Sequence, residues 1–334
     1  MTEDRPKPQR PKAVPATSPA TRIATLAVVL LVLVGVAVAL LLQDDHRPSG
    51  SGPENPVTTV PPPPTTEPTP TAPPPPPTTS VPPPTAPTTC PTPAPVQLTV
   101  MTFNIHYGTD HRGRVELDRI AAEIRGWDPD VVLLQEVDKG RPVSGNLDQA
   151  AVLGTKTGLN HVYGGNSRNT GAGPRGNAIL TRFPITSATN THLPMAGGKE
   201  LRGLLHAQLD VAGVPVSVYA SHFDHRGRKA RRVQAKTVVQ QLAADPLPKL
   251  FGGDLNTGPD SRPIAILTGA GLGDSWAVGS GKGATVPADR PGSRIDFILH
   301  DASFTPVQAE VLYSAVSDHR AVWTRMRLQP RAAC

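Results

Sequence analysis

Acidic and carboxamide side chains stand two residues apart at the end of an apolar run in "LFGGDLN", where Asp254 and Asn256 close residues 250–256. An extended chain points alternate residues to one side, so both side chains could reach a single ligand. The competing reading is a turn, in which Asp and Asn satisfy nearby backbone groups. Similar endings recur along the chain. "MTFNIH" ends in Asn104 and His106, "LLQEV" carries Glu136, and "VYASHFDH" carries His222, Asp224 and His225. "RIDFI" holds Asp296, and "SDHRAV" sets Asp318 and His319 ahead of the last apolar run. Taken singly, each is a turn former or a satisfied buried polar group. Taken together, Glu, Asp and Asn oxygens without a nearby cysteine suit a hard cation, Mg²⁺ or Mn²⁺. Histidines beside such oxygens suit proton transfer near neutral pH. The chemistry these parts describe is metal-assisted hydrolysis of a phosphate ester, with a His–Asp pair activating the attacking water.

Strands must bring these residues together. "QLTVMTFNI" (97–105), "DVVLLQEV" (130–137) and "PKLFGGDLN" read as strands, and "NAILTRFPI", "RGLLHAQLDV" and "VPVSVYASHF" as three more in succession, with "VAGVP" a tight turn. "RIDFILH", "FTPVQAEVLYS" and "RAVWTRMRL" close the chain as strands. Helical spacing occurs at 115–127, near 146–158, at 227–244 and in "RPIAILTGAG". Strand-rich hairpins with a few helices predict an α+β fold of two packed sheets with helices outside, rather than a doubly wound parallel sheet.

The rest of the 334 residues is organised around that domain. Of the 40 prolines, 26 precede residue 97. Residues 23–42 are almost wholly apolar and long enough, at roughly 30 Å, to cross a bilayer. "AVA" at 37–39 offers the rival reading of a cleaved signal peptide, which would give a secreted form. The basic residues of the stub at 1–22 predict a cytoplasmic N-terminus and everything after residue 42 outside the membrane. Residues 43–96 lack the apolar surface for a core and read as an extended linker of at most ~170 Å. Of the net charge of +6, the stub and linker cancel, so residues 97–334 carry about +6, which is compatible with an anionic substrate without identifying one. Cys90 and Cys334 flank this domain and read as a disulfide joining its ends, with two free thiols as the alternative.

The ordered set "MTFNIHYG", "LLQEV", "GNAILTRFPI", "RGLL", "SHFDH", "GGDLN", "RIDFIL" and "SDHRAV" resembles the endonuclease/exonuclease/phosphatase superfamily. That superfamily includes pancreatic-type deoxyribonucleases, abasic-site endonucleases, bacterial sphingomyelinases and inositol-polyphosphate 5-phosphatases. The resemblance implies a four-layer α/β sandwich, two mixed sheets face to face with helices outside. It implies Glu136 as the principal metal carboxylate, helped by Asn104 and Asp318, and His319 as general base oriented by Asp296. It further implies that Asp254 orients the nucleophilic water, that Asn256 donates to a phosphate oxygen, and that His222 contacts the phosphate or protonates the leaving oxygen. Arg202 would support the site. Asp224 and His225 would stand near the phosphate or cap the following helix.

The expected function is a divalent-metal-dependent phosphodiesterase, its domain monomeric and its substrate a nucleic acid or a lipid headgroup. A non-catalytic cell-surface binding module is the alternative. The basic run Arg226, Arg228, Lys229, Arg231 and Arg232 reads as a solvated helix face, with contact to a phosphate backbone as the alternative. Aromatic residues make up 4% of the chain and form no array for stacking bases.

Overall fold

The computed structural model describes residues 94–166 and 173–329. The strands are β1 (Val96–Asn104), β2 (Val131–Asp138), β3 (Asn160–Gly165), β4 (Arg175–Thr181), β5 (Ile185–Leu193) and β6 (Arg202–Val211). They continue with β7 (Val214–His222), β8 (Lys249–Asp254), β9 (Gly273–Asp274), β10 (Asp296–His300), β11 (Phe304–Leu312) and β12 (Ala321–Leu328). Two six-stranded sheets result, ordered β11-β12-β1-β2-β4-β3 and β5-β6-β7-β8-β10-β9. Both are mixed, because β1 pairs with β2, and β7 with β8, in parallel. The helices are α1 (Leu117–Trp127), α2 (Gln149–Thr157), α3 (Arg228–Ala243) and α4 (Arg262–Gly269).

Three apolar clusters define four layers. Leu98, Val100, Val131, Leu133 and Ile179 of the first sheet meet Leu205, Val216, Val218, Leu250 and Ile298 of the second. Outside the first sheet, Met101, Phe103, Val132 and Leu134 pack on Ile120, Ile124 and Leu153 of α1 and α2. Outside the second, Tyr219, Phe251, Phe297 and Leu299 pack on Val238, Leu242 and Leu267 of α3 and α4. The central strands are therefore buried on both faces, which is why they read as continuous apolar runs. The two mixed sheets with flanking helices are the sandwich the sequence predicts.

Period-two alternation then aims the polar ends. In β1, Leu98 and Val100 face the seam between the sheets, and Asn104 shares their parity. In β7, Val216, Val218 and Ala220 face it, followed by His222. Leu250 leads in the same way to Asp254, and Ile298 to Asp296. Since β8 and β10 are antiparallel, the end of one meets the start of the other, and Asp254 pairs in register with both His222 and Asp296. β12 runs against β1, which returns the segment just before it to the same end of the seam. The paired glycines before Asp254 have a steric reason. A Cβ at Gly252 would lie 2.8 Å from Leu133 of the facing sheet, and one at Gly253 would lie 1.8 Å from the Ser221 carbonyl oxygen.

Local differences from the sequence reading have local causes. The single strand expected over 177–185 is two, β4 and β5, in different sheets, and Pro184 without an N–H interrupts the ladder between them. The strand β3 was not expected, since "NHVYGG" lacks alternation. Helix α2 starts one residue after Asp148, whose side chain accepts from Ala151 N, and stops at Gly158 with φ of 73°. The apolar span 23–42, the linker at 43–96 but for its last residues, and both cysteines lie outside the described residues. Among the described residues no helix is long and apolar enough to cross a membrane.

Candidate active site

The site is built on the strand ends at one mouth of the seam. Asn104 Nδ2 donates to Glu136 Oε1 at 3.2 Å and to Asp254 Oδ2 at 3.1 Å, tying the first sheet to the second. Its Oδ1 accepts from His106 N at 3.1 Å. Glu136 sits in a register shift of the β2–β4 pairing between Leu134 and Val137, with φ of 57°. A non-glycine residue in the left-handed region costs on the order of 1–3 kcal/mol and is held only where its surroundings over-determine it. The bulge turns the Glu136 carboxylate out of the strand's alternation and into the seam mouth. Glu136 Oε2 is buried there without a hydrogen-bond partner among the described residues, with the Tyr107 phenol interacting with the same carboxylate.

Asn256 lies beyond the end of β8 rather than on it. Its φ is 51°, and its N–H donates to Asp254 Oδ1 at 2.9 Å. The turn reading holds: an Asx-type turn, not strand alternation, sets the position of Asn256. Asn256 Nδ2 donates to the Phe223 carbonyl at 3.0 Å and lies 2.9 Å from His222 Nε2.

A buried row of titratable groups joins the second sheet to the segment before β12. His319 Nδ1 is 2.9 Å from Asp296 Oδ2, and its Nε2 is 3.7 Å from Asp254 Oδ2. Thr285 Oγ1 also donates to Asp296 Oδ2, at 2.5 Å. Burial works against the His319 imidazolium, but Asp296 and then Asp254 outweigh it and lift its pKa to about 10. Burial, with Asp296 beside it, raises Asp254. His222 goes the other way: burial first, then the positive charges of Arg202, His319 and His225, hold it well below its usual value and therefore neutral.

The remaining expected residues divide. Arg202 is buried, pairs with Glu200 at 2.7 Å, and lines a cavity of about 390 Å³ with Glu136, Arg175 and His222. Asp318 is exposed, and its carboxylate adds to the pull on His319. Asp224 is turned away from phosphate work, its Oδ1 accepting from Arg226 N at 2.9 Å and from Gly227 N as the chain enters α3. The α3 N-cap is Gly227, so Asp224 organises the turn before the helix without capping it in the expected sense. His225 is exposed and accepts from Arg226 Nε at 2.8 Å.

Tyr107, Arg175 and Asp138 escaped the sequence reading. The Arg175 guanidinium lies 3.4 Å from the Tyr107 ring centroid and donates from Nε to the fully buried Asp138 at 2.7 Å. Burial and the neighbouring Glu136 carboxylate raise the Tyr107 phenol. The only sequence signal was adjacency, Tyr107 following "NIH" and Arg175 preceding "GNAIL".

Two groups of donors are candidates for a cation. Asp254, Asp296 and His319 offer atoms within 4.8 Å of one another. In that group both imidazole nitrogens face carboxylates, while Asp296 Oδ1 is buried without a hydrogen-bond partner among the described residues. Glu136 Oε2, a buried anionic oxygen also without a hydrogen-bond partner among the described residues, fits a hard divalent cation too.

Fold and site together define a hydrolase scaffold with carboxylates, amides and histidines gathered at one end of a two-sheet sandwich. Residues 101–319 match the Endonuclease/Exonuclease/phosphatase family, and the chain belongs to it. Over 168 residues, half of this chain, it is 32% identical to protein cwh43 of Schizosaccharomyces pombe (strain 972 / ATCC 24843), but spans only 17% of that protein's length. It is 28% identical to the uncharacterized protein YbhP of Escherichia coli (strain K12), over 69% of this chain and 96% of YbhP. The crystal structure of an endonuclease/exonuclease/phosphatase from Beutenbergia cavernae DSM 12333 superposes with a TM-score of 0.60 at 30% identity, covering 70% of this chain and 72% of that one.

Proposed function

We propose that the chain is a divalent-metal-dependent phosphodiester hydrolase whose domain is displayed outside the cytoplasmic membrane. The observation that carries the reading is the gathering, at one seam mouth, of a buried Glu136 oxygen without a hydrogen-bond partner among the described residues and the Asp254–His319–Asp296 row. Glu136 would hold Mg²⁺ or Mn²⁺ with help from Asn104 and Asp318, and the ion would supply neutralisation of phosphoryl charge. Asp254 orients a water, whose oxygen bonds to phosphorus as the ester P–O bond breaks. In the neutral fraction of His319, which grows as pH rises toward about 10, Nε2 takes the water's proton, and the carboxylates of Asp296 and Asp254 stabilise the imidazolium formed. The departing oxygen takes a proton from solvent. Neutral His222 carries no extra proton to give, which favours contact with the phosphate over protonation of the leaving oxygen. Asn256 and Arg202 complete the polar wall around that phosphate.

The span at 23–42 is the proposed membrane anchor, and the proline-rich segment the tether. The substrate is a nucleic acid or a lipid headgroup. The test is to assay the purified full chain with Mg²⁺ on plasmid DNA, sphingomyelin, glycerophosphodiesters and phosphoinositides. Turnover of one of them, falling at least about 100-fold in Glu136→Ala and in His319→Ala, is expected. Unchanged turnover in either variant sinks the assignment.

A further inference from the structure

A cavity of about 930 Å³ adjoins the active site at Asn256, and its other lining residues have none of the roles above. Its wall carries Arg228, Arg231, Arg232, Arg262, Lys282 and Arg294 against a single carboxylate, Asp260. Arg294 is matched by Asp274 at 2.7 Å, and Arg231 donates to the Asp224 carbonyl oxygen at 2.7 Å. Arg228, Arg232, Arg262 and Lys282 have no carboxylate partner within ion-pair distance among the described residues. Arg228, Arg231 and Arg232 recur at the spacing of one helix face, so their charges repel one another.

Arg228, Arg232 and Arg262 are exposed, and the excess of cations along the cavity favours an anion there. The first turn of α3 holds no acidic residue and begins with arginine and lysine, opposite to what the helix dipole favours. The α4 start is also without an acidic residue, and Ser261 before it makes no side-chain cap bond. The Ser261 hydroxyl is buried with no hydrogen-bond partner among the described residues. Both helices bring these residues to one cavity. A phosphate would satisfy the hydroxyl and the cations at once.

The geometry points to a second phosphate subsite. We propose that the substrate carries a phosphate besides the scissile one, and that this cavity, through Arg228, Arg232 and Arg262, binds it. The continuity is at Asn256, which lines this cavity while its 2.9 Å neighbour His222 lines the one shared with Glu136. The inference rests on the proposed hydrolase reading for which phosphate is cut, but not for the presence of an anion site.

Two measurements on the full chain separate these parts. Calorimetric binding of inorganic tripolyphosphate should weaken at least 10-fold in the double variant Arg228→Glu/Arg232→Glu, and be retained within about threefold in Arg228→Lys/Arg232→Lys. Absence of tripolyphosphate binding, or equal binding by the charge-reversed variant, overturns the subsite. Turnover is then compared for the p-nitrophenyl ester of thymidine 5′-phosphate with and without a 3′-phosphate. These esters share the scissile bond and leaving group. A kcat/KM ratio of 10 or more in favour of the 3′-phosphorylated ester, collapsing towards one in the charge-reversed variant, is expected. A ratio near one in the wild type overturns the assignment of the anion to the substrate. Binding that is lost on charge reversal, with neither these esters nor any substrate of the phosphoester panel above cut, supports the anion subsite and counts against the hydrolase reading instead.

Discussion

At the scale of single residues, the site is held by backbone positions under constraint. Glu136 occupies a left-handed conformation that costs a non-glycine residue on the order of 1–3 kcal/mol. Glu136→Gly should therefore raise unfolding stability by on the order of 1 kcal/mol in urea titration while abolishing turnover. A fall in stability would show that the conformation is not strained. Gly253→Ala should act in the opposite sense. A Cβ there meets the Ser221 carbonyl oxygen, at a φ of 140°, so a loss of about 3 kcal/mol or more is expected from the same titration. The sequence made Asp254 and His319 legible because each closes or precedes a strongly apolar run. Asn256 was reached by an alternation the structure does not use. The Glu136 bulge had no signal, since a register shift is decided by hydrogen bonding across two strands.

At the scale of elements, charged support sits where strands leave the sheet. Asp138, the last residue of β2, receives Arg175 and Ser144 and lies 3.4 Å from Arg141. Asp138→Ala leaves Arg175 without its carboxylate and should cost about 3–5 kcal/mol in denaturant unfolding, with Tyr107 losing its stacked neighbour. A loss below 1 kcal/mol would contradict this. On the second sheet, His206 of β6 stacks on Tyr219 with 4.3 Å between ring centroids, and burial lowers its pKa. A lowered histidine favours the neutral form in the fold. The unfolded chain, with an ordinary value near 6.5, therefore takes up more protons on acidification, and stability falls as pH drops below that value. His206→Gln should flatten the decline in Tm between about pH 7 and 5, leaving the share due to His222. An unchanged slope would remove His206 from the account. These elements were legible where both faces are apolar. The basic face of α3 was not, because its cavity is completed by residues of α4 and by the loops around Lys282 and Arg294, far along the chain.

At the scale of the molecule, every residue assigned a catalytic or metal role lies between 104 and 319. A chain beginning at residue 94 should thus keep turnover of a water-soluble ester within about twofold of the full chain. A larger loss would assign the N-terminal segment a part in catalysis. The full chain, if residues 23–42 anchor it, should remain in the membrane pellet after an alkaline wash, and release of the intact domain into the medium would favour the cleaved form.

The Asn104–Asp254 hydrogen bond spans two sheets whose core contact is apolar and non-directional. Sliding one sheet along the other by a single residue moves its side chains about 3.4 Å, a whole hydrogen-bond length. The site therefore works as a vernier on the alignment of the sandwich. Replacements such as Ile179→Val or Leu205→Met in the shared core should depress turnover in proportion to the slip they allow, well before unfolding detects them.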